Sequence, residues 1–371
     1  MALTTQELKI AKQSYPVLKY SNFLSKHLTL PVYAALYQKK TSNGVTLDTC
    51  IQTGVDTPRL QFGLVVGDEE CYTLFKDVLY PVIKEYHENF DPAVQMHADD
   101  AAQLNNDVIV KPFDEKYVIS VRIRAGRSIS GFPFAPCCTR AERRKVEEIV
   151  VGALKNIDRE FTGSYRTIDS MSPAEIDKLT KEHILFYNVT EFSYRNDGIA
   201  RDWPDARGFM VNERNDFIVW VNEEDHVRII SMQSGNDLQS CFENWKKGEK
   251  QLEDAIKNAG YKYAWSKNLG HLCTCPSNIG TSMRCSVHVR LPNMSVHPKL
   301  DEIIKKLGVA KRGNLGEHRS STDQELLDIS NVKRLGISEV GIVQQVYQSV
   351  TRLIDMERQL EAGKLLDDVL K

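Results

Sequence analysis

Three acidic side chains stand in a row inside FIVWVNEEDHVRIISM, residues 217–232: Glu223, Glu224 and Asp225, with His226 next and Arg228 two residues further on. Apolar residues flank this knot on both sides, yet a strand that only filled a core would not carry three adjacent carboxylates. Two chemistries suit it. Carboxylates can orient a divalent cation and its waters, or they can grip a cationic nucleophile. Ion pairs with neighbouring arginines are the structural alternative. If the strand continues through the knot, Glu224 shares a face with Asn222 and Trp220, while Glu223 points the other way.

Charges of the opposite sign recur at strand spacing. In KYVISVRIRAGRS, Tyr117, Ile119, Val121 and Ile123 alternate with Val118, Ser120, Arg122 and Arg124. In SMRCSVHVRL, Met283, Cys285, Val287 and Val289 alternate with Arg284, Ser286, His288 and Arg290. Arg228 extends the set, as does Arg312 in AKRGNLGEHRSST. One such strand alone reads as a solvated outer face. The same habit on three strands points to a polyphosphate pocket, because arginine binds phosphate bidentately and stays charged when partly desolvated. The pattern G-x-x-x-x-G-K-[ST] is absent, and AGRSISG and NLGEH carry too few glycines for a nucleotide fingerprint. Side-chain arginines must then do what loop amides do in other nucleotide sites. In HLCTCPSNIGTSMR, Cys275 precedes a Pro-Ser-Asn-x-Gly turn. A cysteine at a strand end near several cations is expected to have a lowered pKa and thiolate character; a small buried hydrophobe is the alternative.

The elements that must hold these groups follow from the pattern around them. Residues 1–95 read as short helices, one started by Thr29 with Pro31 and another over 68–80, with a Gly- and Pro-punctuated loop at 51–70. Residues 96–115 are polar and aperiodic, a linker. Residues 116–371 form a larger α/β domain, with strand-like runs at 117–124, 208–221, 227–233, 271–276 and 283–291. Val146, Ile149, Val150 and Leu154 lie at helical spacing, Ser172 to Glu175 reads as a capping box, and 338–360 is a long amphipathic helix ending near Gly363. Several strands lack the intervening helices of βαβ units, so the sheet is expected to be mostly antiparallel and the fold α+β.

With 371 residues and 42% hydrophobic content the chain can bury a large core. Lys+Arg 48 against Asp+Glu 50 leaves a net charge of −2, which argues against a general nucleic-acid or membrane-surface binder. No run reaches the ~18 apolar residues of a membrane span. The start, MALTTQELKI, has no secretory pattern, so a cytoplasmic protein is expected. Eight cysteines without framework spacing read as reduced thiols. The close pairs Cys137-Cys138 and Cys273-x-Cys275 lack the spacing of a zinc site.

The blocks VNEEDH, CPSNIGT followed by R…SVHV, RIRAGRS and RGNLGEH resemble the phosphagen (guanidino) kinases, from about Tyr15 to the C-terminus. The resemblance implies a small all-α N-terminal domain and a larger domain with an antiparallel sheet flanked by helices. It implies reversible transfer of the γ-phosphoryl of ATP, with Mg²⁺, onto a guanidine. By position, Arg122, Arg124, Arg228, Arg284 and Arg312 would bind ATP or ADP, on the strand faces that also carry Ser120 and Ser286. His183 and His288 would lie by the adenosine. Glu224 would grip the guanidinium, Cys275 would contact it, and Glu223 would lie on the magnesium–water side, with no direct protein ligand to the metal. A short loop after Gly54-Val55, Tyr86 and a second carboxylate at Glu317 resemble arginine kinases and imply L-arginine as acceptor. The backbone amides of Gln61, Phe62, Gly63, Leu64 and Val65 would then meet its α-carboxylate. The loop 311–325 would act as a lid. YPVLKY, TRAERRKVEE, ARDWPDARG and LEAGKLLDDVLK resemble creatine kinase instead and imply a homodimer. Leu60, Gln61 and Val65 depart from the usual arginine-kinase loop, and His87-Glu88-Asn89 stands in place of HGG. Creatine, taurocyamine and lombricine therefore stay open as acceptors, as does a nucleotide-binding homologue that has lost transfer.

Overall fold

The computed structural model describes residues 13–57, 61–98, 110–187, 197–312 and 325–364. Glu317, Leu60, most of the expected linker and lid, and the last seven residues of the tail lie outside the described residues, as does the side chain of Arg312.

The first part of the chain is helical: Phe23–His27, Leu30–Leu36, Leu47–Asp56, Cys71–Leu74 and Lys76–Tyr86. Thr29 and Pro31 start the second of these as expected. The helix expected over 68–80 is two, broken at Phe75, where φ −105° and ψ 23° fall outside helical geometry. Leu24, Leu28, Val78, Leu79 and Val82 form the core of this part. That core also takes in Leu269, Leu272 and Ile279 from far along the chain, so the small helical part is packed onto the segment that carries Cys275.

Among the described residues ten strands follow: β1 (Val118–Arg127), β2 (Gly163–Thr167), β3 (Gly208–Asn212), β4 (Phe217–Val221), β5 (Val227–Ser234), β6 (Trp265–Ser266), β7 (Gly270–His271), β8 (Met283–Arg290), β9 (Val309–Arg312) and β10 (Leu326–Asn331). Eight of them make one antiparallel sheet in the order β2-β3-β4-β5-β1-β8-β10-β9, and β6 and β7 pair separately. The run 208–221 is a hairpin and not one strand. The run 271–276 leaves strand geometry after His271, and a short 3₁₀ turn, Pro276–Asn278, follows.

One sheet face is apolar. Val121, Ile123, Ile229, Val287 and Val289 meet Val146 and Val150 of the helix Arg140–Leu154, Trp245 and Leu252 of Leu238–Asn258, and Val343 and Val346 of Glu339–Glu361. The first and last of these helices follow the helical patterns read from sequence, and Leu238–Asn258 was not foreseen. The last ends before Gly363, whose φ of +76° provides the left-handed stop. One expectation fails here. Ile119 is 44% exposed, while Val118 is buried, because the β1–β8 register slips between Val118 and Ser120. The extra residue leaves Ile119 unpaired and outward, while Tyr117 and Val118 both join the core.

The opposite sheet face is where the charged alternation ends up. β1 and β8 pair Ser120 with His288, Arg122 with Ser286 and Arg124 with Arg284. β10 adds Asp328 opposite His288 and Ser330 opposite Ser286, and β9 sets Arg312 opposite Asp328. On the other flank β5 sets Arg228 opposite Gly126.

Candidate active site

Two cations lie over one ring. Arg122 and Arg124 stand 5.6 and 5.8 Å from the centre of Trp220, whose indole nitrogen donates to the Ile184 carbonyl at 2.7 Å. Burial and then the charge of Arg284 lower the pKa of Arg122 to about 10. Burial and then the charges of Arg228 and Arg122 lower that of Arg124 to about 9. Cations crowded this far against one another are poised for an anion. The Nε atoms of Arg122 and Arg284 are buried with no hydrogen-bond partner, which a nucleotide oxygen would supply. Arg284 Nη2 donates to Asp328 at 2.6 Å, and His288 Nε2 lies 3.8 Å from the same oxygen. Burial alone would raise the Asp328 pKa, but Arg284 and His288 outweigh it and hold the carboxyl well below the usual carboxylate range. Ser120 Oγ and His288 Nδ1 are 2.9 Å apart. The His183 carbonyl accepts from Arg122 Nη2 at 3.4 Å, and burial followed by the charges of Arg122 and His288 lowers its ring to about 4.

The acidic knot is a turn. β4 stops at Val221, and Asn222 enters the left-handed region with φ +56°. Its side-chain Nδ2 donates to the carbonyls of Arg143 and Ala206 at 3.0 and 2.9 Å. At the other end His226 Nδ1 accepts from the Ile129 amide, and Nε2 donates to the Pro133 carbonyl, both at 3.0 Å. Both ends are therefore pinned, and the three acids between them turn one way. Arg228 Nη1 donates to Glu223 at 3.0 Å, and Nη2 donates to Glu224 and, at 3.3 Å, to Asp225. The expected divergence of Glu223 and Glu224 is thus wrong. It assumed a continuing strand, and the turn makes both converge on Arg228. Gly126 is needed beside them, since a Cβ there would sit 2.7 Å from Asp225 Oδ2.

Cys275 reaches this turn through its neighbour. The Thr274 amide donates to Asp225 Oδ1 at 2.9 Å, and its hydroxyl donates to the Glu224 carbonyl at 2.8 Å. The expected lowering of the Cys275 pKa does not hold. Burial, then the facing Glu224 carboxylate, push it up to about 12 against a 2.9 Å contact with the Ser277 hydroxyl. Both the Glu224 and the Asp225 charges act on the thiol.

The loop after residue 60 abuts the same place. The Val66 amide donates to the Thr274 carbonyl at 2.9 Å. The carbonyls of Gln61 and Phe62 accept from the amides of Phe23 and Leu24 at 2.9 and 3.2 Å, closing the start of the first helix. Leu64 is buried. The expectation that the Val65 amide meets a substrate carboxylate is corrected, because that amide donates to the Cys50 carbonyl at 3.0 Å. Tyr86 packs edge-on against Phe62 and Phe23, with ring centres 5.2 and 5.9 Å apart.

The fold thus gathers Ser120, Arg122, Arg124, His183, Arg228, Arg284, Ser286 and His288 on one face, with Glu223 and Glu224 at its edge and Cys275 behind them. Sequence reasoning missed Asp328, although the alternation Leu327-Asp328-Ile329-Ser330 carried the signal already used on β1 and β8. It also missed Thr274, for which spacing offers no signal.

Crowded arginines beside an acidic turn suit a polyphosphate and a cation. The chain matches the ATP:guanido phosphotransferase N-terminal domain over residues 19–84 and the ATP:guanido phosphotransferase C-terminal catalytic domain over residues 145–360. It is 44% identical to lombricine kinase of Eisenia fetida over 97% of each chain. It is 42% identical to creatine kinase M-type of Bos taurus, covering 97% of this chain and 95% of that one. A crystal structure of lombricine kinase superposes with a TM-score of 0.90 at 41% identity, over 97% of this chain and 99% of that one. The duplicated taurocyamine kinase of Schistosoma mansoni with bound transition state analog components gives 0.85 at 31% identity, over 98% of this chain and 49% of that one. The chain belongs to the ATP:guanido phosphotransferases, the phosphagen kinase family, and has the activity of that class. The family and the α+β fold expected from sequence are both borne out. No helix among the described residues is long and apolar enough to cross a membrane.

Proposed function

We propose that this enzyme transfers the γ-phosphoryl group of MgATP reversibly to a guanidine of the lombricine, creatine or taurocyamine kind. The carrying observation is the meeting of two opposed charge sets. Cations with unbonded buried nitrogens face inward from β1 and β8, and the acidic turn with Cys275 lies at their edge. Arg122, Arg124, Arg228, Arg284 and Arg312 would hold the phosphates, with Ser120, Ser286, His183 and His288 along the nucleotide. Glu224, joined by Glu317, would orient the guanidinium against Cys275. The arriving cation would favour the thiolate and reverse the shift that Glu224 imposes in its absence. Bound magnesium neutralises charge on the phosphoryl oxygens. Glu223, whose hard oxygens are already fixed by Arg228 and by the Glu224 amide, suits one of its waters.

Transfer needs in-line placement and charge neutralisation more than covalent help. The guanidino nitrogen bonds to the γ-phosphorus as the bond to the β–γ bridging oxygen breaks. One proton leaves the nitrogen during this step, and Glu224 is the base placed to take it. Orientation of this kind supplies on the order of 7–11 kcal/mol.

Two facts favour an acceptor other than L-arginine. The lombricine and creatine kinases resemble the chain along nearly its whole length. The Val65 and Val66 amides are both engaged within the protein, which leaves less of the loop to receive an α-carboxylate. The arginine reading is the second one, and rests on Tyr86, the short loop and Glu317. Eight free thiols support a reducing, cytoplasmic setting, and the tail with the helix Arg140–Leu154 supports a homodimer. Initial rates with MgATP on lombricine, taurocyamine, creatine and L-arginine test the reading. The highest kcat/KM on L-arginine would overturn the choice of acceptor, and no transfer to any of the four would leave a silent nucleotide-binding homologue.

A further inference from the structure

The four residues 273–276 have every backbone carbonyl occupied, and three of the four donors come from the small helical part. The Tyr72 hydroxyl donates to the Cys273 carbonyl at 2.7 Å. The Val66 amide donates to the Thr274 carbonyl at 2.9 Å, and His87 Nε2 lies 2.9 Å from the Pro276 carbonyl. The carbonyl of Cys275 itself accepts from the Asn278 amide at 2.9 Å, within the turn. A carbonyl can only accept, so His87 must carry its proton on Nε2. Tyr72 and His87 are both buried, at 2% and 4% exposure, so neither bond has water as a ready substitute.

On its far side this short segment touches the acidic turn. Thr274 gives its amide to Asp225 and its hydroxyl to the Glu224 carbonyl. Four residues therefore lie between the helical part and the carboxylates, fastened to both. Nothing in the chemistry of transfer requires Tyr72 or His87 to touch a substrate.

We infer that Tyr72 and His87 are positioning residues: by holding the carbonyls on either side of Cys275, they fix the thiol and, through Thr274, the main chain of Glu224 at the distance the acceptor needs. The inference rests on the reading of Cys275 and Glu224 as the acceptor's partners. Misplacement of a reacting group by a fraction of an ångström costs rate out of proportion to the bond lost. The helical part, which carries the loop at 61–66, thereby sets the acceptor site from two sides.

The test uses Tyr72→Phe, which removes one oxygen, and His87→Leu, which removes the donor, with His87→Gln restoring one. Steady-state rates are measured with the best guanidine, MgADP affinity by titration, and Cys275 alkylation by iodoacetamide with peptide mass spectrometry. Tyr72→Phe and His87→Leu should each lower kcat about tenfold, the loss of one buried hydrogen bond. They should raise the acceptor KM, speed alkylation at Cys275, and leave MgADP affinity within about twofold, since the arginine face lies on other strands. His87→Gln should recover most of kcat. Wild-type kcat and alkylation rates in Tyr72→Phe would overturn the inference, as would loss of kcat in His87→Leu that His87→Gln does not restore. If His87→Leu fails to bind MgADP because it does not fold, Tyr72→Phe decides. If the wild-type chain transfers to no guanidine, the functional reading fails, while unchanged or faster alkylation in Tyr72→Phe still decides whether the clasp holds the thiol.

Discussion

Glu224→Gln separates the two charge sets of the site. In the structure Arg228 is shared among Glu223, Glu224 and Asp225, and the side chains of Arg228 and Glu224 are only 6% and 12% exposed. Removing the Glu224 charge leaves Arg228 bonded to the other two acids, so stability should fall by about 1 kcal/mol, not the 3–5 kcal/mol of an orphaned buried charge. Turnover should suffer far more. A charge-assisted hydrogen bond to the guanidinium is worth roughly 1.5–3 kcal/mol, and the loss of a proton acceptor roughly another 3 kcal/mol. The sum predicts a fall in kcat of about 10³–10⁴. MgADP affinity should hold or tighten slightly, because Arg228 has one competitor fewer for its guanidinium. A coupled assay in both directions gives kcat, and calorimetric titration gives the nucleotide affinity. Near-normal turnover would refute the reasoning. So would a fall in MgADP affinity matching the fall in turnover, since Glu224 would then serve only to steady Arg228.

Two further perturbations probe other parts of the structure. Gly54→Ala places a Cβ 1.9 Å from the Gly63 carbonyl oxygen, so the loop at 61–66 must shift; the acceptor KM should rise about tenfold or more with the MgATP KM unchanged, and equal effects on both would show the loop is not an acceptor element. His226, buried between the Ile129 amide and the Pro133 carbonyl, has its pKa lowered by burial to about 4. Its folded pKa lies below the unfolded value, so the unfolded chain binds the extra proton between about pH 4 and 6.5, and the stability present above that window is lost as pH falls through it. At pH 5 this amounts to about 2 kcal/mol. His226→Gln should therefore reduce by about that amount the drop in unfolding free energy from urea titration between pH 7.5 and 5, and an unchanged drop would contradict the assignment.

How much of this was legible beforehand follows from the physics of each element. Alternation on β1 and β8 located the arginine-bearing face, because one buried face forces period two and leaves the arginines nowhere else to go. The same rule failed at Ile119 and at Glu223, and for one reason. A bulge and a turn each break the period, and neither is announced by residue type: Asn222 at φ +56° is an ordinary asparagine in the sequence. The Cys275 pKa was misjudged because sequence counts nearby cations but shows neither the burial of the thiol nor the Glu224 charge that acts on it. Thr274, Tyr72 and His87 were invisible for a deeper reason. Their contribution lies in hydrogen bonds to carbonyls some 50 to 200 residues away, and every residue presents the same carbonyl. Residue types report which side chains can do chemistry. The backbone groups that hold them in place are common to every sequence, so the support of a site becomes readable only once the chain is folded.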